Sequence, residues 1–142
     1  MATRNREFVA DIKQFAKLTE EAMAKVARDS VQDVMEGAMT SARGVSVGGT
    51  LVQGRIPVAT GVLINSLSTE VKGRGTSLGD TSYTVALAGY ELGDVLTFAW
   101  NTKYAIHVEM GTSKFAGWHF VGRNAARWPE IVAHNVRLHS VK

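Results

Sequence analysis

The chain has 142 residues (15.3 kDa), 45% of them hydrophobic, with a net charge of +3 and a sequence pI near 9.4, which suits one domain with a modest core. It contains no cysteine, which excludes disulfides, thiolate metal sites and a cysteine nucleophile. It also lacks any run of about 18 apolar residues that would span a membrane, and its polar start, Met1 to Arg6, lacks the apolar segment of a signal peptide, so retention in the cytosol is expected.

Residues 1–40 are predicted as one long helix, the pattern running from about Asn5 to Thr40. Phe8, Ile12, Phe15, Ala22, Val26 and Val34 recur at three-to-four spacing, and Leu18, Met23, Val31 and Met35 widen the stripe. Lys17, Glu21, Lys25 and Asp29 alternate in sign at i,i+4 on the other face. Gly37 reads as a stop signal. Such a helix would be roughly 54 Å long, against about 37 Å for the diameter of a compact chain of this size. Part of its stripe, with Phe8, Ile12, Phe15, Val26 and Val31 as the chosen interface residues, is therefore expected to need a neighbouring subunit.

Residues 41–59 hold four glycines and Pro57 without steady periodicity. They read as a flexible loop or arm, with a short strand at Thr50–Val52. The remaining residues, 60–142, read as an α+β body. A helical turn is expected at Thr60–Ser66. Strands are expected at 67–71 (Leu67, Thr69 and Val71 alternating), at 82–89 (Tyr83, Val85, Leu87) and at 95–101, the last two joined by a hairpin loop from Gly89 to Asp94. Gly73 to Asp80 would connect the first strand to the second. A short helix is predicted over Lys103–Met110, closed by Gly111. Another begins near Phe120 and is interrupted or restarted at Pro129, continuing through Glu130–Leu138. The fold class is thus α+β in a single domain: a long N-terminal helix, an antiparallel sheet of three to four strands, and a short helix and a C-terminal helix packed on the sheet.

Charge is unevenly placed. Residues 41–142 carry ten Lys/Arg against six Asp/Glu, and from Gly111 onward only Glu130 opposes five basic residues. Phe115, Trp118, Phe120 and Trp128 interleave with Lys114, Arg123 and Arg127. Nucleic-acid grooves use that mixture, and protein interfaces anchor on the same residue types. A core or interface role fits better than base stacking.

His107, Glu109 and His119 are the best set for metal chemistry, but a metal needs three convergent ligands. His107 and Glu109 lie about 200° apart on a helix. A His-x-Glu deaminase pattern would also need cysteines, which are absent. No nucleophile elbow, phosphate loop or dinucleotide fingerprint occurs. Glu109, set between Val108 and Met110, reads as a buttress whose charge needs a partner, with Lys103, Lys114 or Arg123 as the candidates.

Two segments stand out together: Pro57-Val58-Ala59-Thr60-Gly61-Val62-Leu63-Ile64-Asn65-Ser66, and Tyr104-Ala105-Ile106-His107-Val108-Glu109-Met110-Gly111-Thr112, followed by His119-Phe120. In this order and spacing they resemble the small head–tail joining and tail-completion proteins of long-tailed bacteriophages. That family has a Pro-x-x-Thr-Gly-x-Leu-x-x-Ser element before its sheet and a Tyr-Ala-x-x-Val-Glu-x-Gly-Thr element after it. The family often has Pro-Phe where this chain has His119-Phe120. The resemblance implies an α+β subunit of a homo-oligomeric ring in the virion, made in the host bacterial cytoplasm. Its partners would be copies of itself and tail-tube, tail-terminator or connector proteins. DNA would pass through the bore without sequence-specific binding, and no membrane, cofactor, metal or catalytic residue is implied. Glu109, Arg123 and Arg127 complete the expected interface set. The alternative is a small basic nucleic-acid-binding module; a metal-dependent hydrolase is a third reading.

Overall fold

The computed structural model describes residues 20–140. The chain is α+β, as its sequence pattern predicts. The first described helix, α1 (Glu20–Met39), is 20 residues long, hence about 30 Å. Phe8, Ile12 and Phe15, and with them the N-terminal half of the expected rod, lie outside the described residues. Two expectations for α1 are corrected. Gly37 does not stop it, because the helix runs on to Met39. Gly37 serves close approach instead: a Cβ there would sit 2.1 Å from Asn124 Oδ1. Nor is Val26 left for another subunit to cover. Val26, 1% exposed, packs with Ala22 and Val136, flanked by Met23 and Val132, so the chain's own C-terminal helix covers it.

Residues 41–59 are corrected as well. They form two short strands, β1 (Ser41–Arg43) and β2 (Ile56–Val58), paired in parallel with Ala42 opposite Pro57. A 3-10 turn at Val45–Val47 lies between them, and Thr50–Val52 is not a strand. The apolar side chain of Ile56, fully buried, pins what composition presents as an arm. A helical turn, α2 (Val62–Asn65), follows where expected.

The sheet is three-stranded and antiparallel, with β3 (Leu67–Val71) between β4 (Gly75–Leu78) and β5 (Leu96–Trp100). Thr69 stands opposite Ser77 on one side and Phe98 on the other. Leu67, Thr69 and Val71 point into the core, while Glu70 is exposed. Two of the three strands were expected; the third is corrected. Residues 82–89 were predicted as a strand but form helix α3 (Ser82–Ala88), and the predicted connection after Gly73 supplies β4. The alternation of Tyr83, Val85 and Leu87 is too short to tell strand from helix. The residues α3 buries are Ser82, Ala86 and Leu87, a helical face, and Ser82 Oγ pairs with Thr69 Oγ1 at 2.9 Å on the sheet. In β4 the residues opposite the buried Val71 and Thr69 are Gly75 and Ser77, so no apolar period betrays it.

The short helices α4 (Ala105–Met110) and α5 (Gly122–Ala125) lead to the C-terminal helix α6 (Trp128–His139), which starts with Pro129 in its first turn, where a missing N–H costs nothing. The α6 helix lies along α1. Buried Asn135 donates to Ser30 Oγ (3.1 Å) and Asp33 Oδ2 (3.0 Å), and His139 Nε2 meets Asp29 Oδ2 at 2.7 Å. The principal core lies below: Ile56, Leu63, Trp118 and Phe120, with Met39, Trp100 and Val108 against them. Trp100 and Phe120 meet edge to face, centroids 5.2 Å apart and planes at 83°, a favoured aromatic geometry.

Candidate functional site: an apolar groove and its carboxylate latch

Thr60 and Gly61 build the first wall. Gly61 adopts φ 84° at the start of α2, a left-handed conformation that favours glycine. Its carbonyl accepts from Asn65 N (3.0 Å), and Thr60 Oγ1 accepts from Val62 N (3.4 Å). The resulting tight turn buries Leu63 and leaves Val62 54% exposed.

The second wall follows from α4. Gly111 has φ 83° and ψ 176°, and a Cβ there would fall 2.5 Å from Gly117 N. Only glycine fits. Thr112 N then donates to Phe115 O (2.9 Å), and Thr112 Oγ1 accepts from Lys114 N (3.1 Å). These bonds close a small loop that displays Phe115, 50% exposed. The returning chain lies so near α4 that a Cβ on Gly117 would be 2.4 Å from Glu109 O. Trp118 N donates to Val108 O (2.8 Å) and His119 N to Glu109 O (3.1 Å).

Glu109 fastens this return. Its two carboxylate oxygens accept from Val121 N (2.9 Å) and Gly122 N (2.8 Å). The expected partners Lys103, Lys114 and Arg123 are thus corrected: the buttress is real, but backbone amides satisfy it. A half-buried carboxylate needs no countercharge when N–H groups that have no other acceptor hold it equally well. His119, between the returning strap (residues 111–118) and Phe120, has φ 48° and is the one described non-glycine residue with positive φ. Proline is locked near −65°, so the Pro-Phe of the resembling family would not fit this local geometry.

The walls enclose a groove of about 360 Å³. Its lining comes from three stretches of chain: Gly44, Val45, Ser46 and Leu51; Pro57, Ala59, Thr60, Gly61, Val62 and Leu63; and Tyr104, Val108, Phe115, Ala116 and Trp118. No lining residue carries a formal charge. Val45, Val62, Tyr104 and Phe115 are each between 43% and 60% exposed around it. The floor, Leu63 and Trp118, belongs to the buried core. Ile106 and Met110, 60% and 64% exposed, add apolar surface on α4.

Of the expected interface residues, Val26 is buried within the chain and so is not an interface residue of the described fold, Val31 is half-buried on α1, and Glu109 works as the latch. Arg123 and Arg127 are exposed and lie together on a separate cleft with Arg55. The groove residues Val45, Val62, Tyr104 and Phe115 were not singled out as interface residues. For Val62 and Tyr104 a signal exists, since both motif segments combine turn glycines with apolar residues too few to fill a core of their own; Val45 and Phe115 lie outside those segments and carry none. Among the described residues, no group of three His, Asp or Glu side chains is placed to hold a metal ion, and no helix is long and apolar enough to cross a membrane. No family model, curated protein or solved structure matches the chain.

Proposed function

We propose that the chain is a structural ring subunit of a tailed bacteriophage, seated at the head–tail junction or the proximal end of the tail, and that it acts by docking. The observation that carries this reading is the groove. The two segments that resemble the phage joining proteins are separated by 37 residues in sequence, yet both line it. A concave, uncharged surface rimmed by exposed Val, Tyr and Phe is what a protein–protein interface requires, since exposed contiguous apolar area is costly unless covered.

The sequence supplies a complementary occupant. Phe8, Ile12 and Phe15 recur at the spacing of one helical face, which matches an apolar stripe laid into a groove. A stripe donated by one copy to the groove of the next would make the pairing head to tail, an arrangement that can close into rings. Tail-tube or connector proteins would engage the faces of that ring.

Sedimentation velocity across a concentration series tests the reading. Species heavier than the 15.3 kDa chain are expected, and Phe115→Asp, Val62→Asp or Ile12→Asp should each return them to monomer. For the two groove variants, exposure of the side chains predicts an unchanged melting temperature. A wild-type chain that stays monomeric both alone and with tail-tube and connector proteins would refute the proposal. So would groove variants that assemble as well as wild type.

A further inference from the structure

The groove leaves the chain's positive charge unexplained, and a second concavity collects it. A polar cleft of about 500 Å³ lies between the end of α1, the turn before β2 and the α5–α6 corner, and Arg55, Arg123 and Arg127 line it. Arg55 lies 68 positions before Arg123 and 72 before Arg127, so only the fold brings them together.

The cleft is built, not incidental. Buried Asn124 donates to Gly54 O (2.9 Å) and Phe120 O (2.7 Å), tying the turn to α5. Gly54 N donates to Trp118 O (2.7 Å), and Gln53 Nε2 donates to Gly117 O (3.2 Å). Gly54 has φ 86° and lies against the Arg123 side chain. Gly37, lacking a side chain, admits Asn124 to α1. Backbone and amide groups are thereby satisfied, but among the described residues none of the three guanidiniums has a carboxylate partner. Glu36, next in sequence to Gly37, accepts from Gln32 Nε2 (2.8 Å), and Glu109 accepts from the Val121 and Gly122 amides.

Three exposed, unpaired guanidiniums lining one cleft repel one another unless an anion joins them. Each presents a planar fork that matches phosphate oxygens two at a time. We infer that this cleft binds phosphate groups of a nucleic-acid backbone, each arginine neutralising one phosphate without reading a base. A backbone suits the site better than an acidic peptide, because the cleft offers no apolar anchor of the kind protein interfaces use. The inference stands apart from the ring reading, since all three arginines belong to one chain.

The test is fluorescence anisotropy of a labelled 20-base-pair duplex titrated with the full chain from 50 to 200 mM NaCl. Three phosphate contacts predict a log–log salt slope of about −2.7, or roughly a 40-fold loss of affinity across that range. The triple variant Arg55→Ala, Arg123→Ala, Arg127→Ala should lose most of that slope. A second triple variant, Lys72→Ala, Lys103→Ala, Arg137→Ala, removes the same charge from exposed positions outside the cleft and should keep it. Circular dichroism confirms that both remain folded. Absence of duplex binding, or equal loss in both triple variants, would overturn the inference. Two further outcomes would also overturn it: inorganic phosphate displacing the duplex at constant ionic strength, which marks a free-phosphate site, or polyglutamate binding more tightly than DNA, which marks an acidic protein site.

Discussion

Truncating Glu109 to alanine removes both acceptors of the latch at once. The Val121 and Gly122 amides, now 2.9 and 2.8 Å from carboxylate oxygens, would be left to find water. Hydrogen bonds to a charged group contribute about 1.5–3 kcal/mol each, but Glu109 is half-buried, so water recovers part of each bond and the net loss is about 2 kcal/mol. For a chain of this length that lowers the melting temperature by roughly 6–10 °C. Glu109→Gln keeps one acceptor and turns an NH2 donor toward the other amide, so it should lose about half as much. Thermal unfolding followed by circular dichroism, with urea titrations for free energies, reads both values. Because the latch holds the strap bearing Phe115 and Trp118, Glu109→Ala should also weaken self-association at temperatures where the chain is still folded. An alanine variant that melts like wild type, or a glutamine variant indistinguishable from it, would refute the claim that two oxygens hold two amides.

Two further perturbations probe other contacts. Gly37→Ala would ordinarily stabilise a helix by up to about 1 kcal/mol, but the 2.1 Å approach to Asn124 Oδ1 reverses the sign, and urea unfolding should show a net loss of about 1–2 kcal/mol. Burial raises the Tyr83 hydroxyl above its ordinary value near 10.0, and the charges of Glu36 and Asp80 add to this while the hydrogen bond from Thr84 opposes it. A raised folded-state value favours the neutral phenol, so its contribution is fully present below pH 10 and is lost as pH rises through the folded-state value. Urea midpoints measured from pH 8 to 11 should fall at the alkaline end, and Tyr83→Phe should reduce that fall.

Much of the secondary structure was open to sequence reasoning because its signal is local. The stripe of α1, the turn at Gly61, the alternation of Leu67, Thr69 and Val71, and the restart at Pro129 are each written within a few residues. The reading failed where local signals are short or mute. Ser82 to Ala88 carries strand-like alternation over too few positions, and β4 has no apolar residue on its inner face. Ile56, not the glycines around it, decided that residues 41–59 are pinned.

Sequence alone determined the class of the fold, the absence of thiol chemistry and the two glycine turns, since these depend on composition and on backbone freedom at single positions. Tertiary structure alone decided who meets whom. It covered Val26 with α6, gave Glu109 two amides instead of a cation, brought Pro57–Leu63 and Tyr104–Trp118 to one groove, and brought Arg55 to Arg123 and Arg127. Those pairings span tens to more than a hundred residues, and they are fixed by which apolar faces can be buried together, a condition no local window contains.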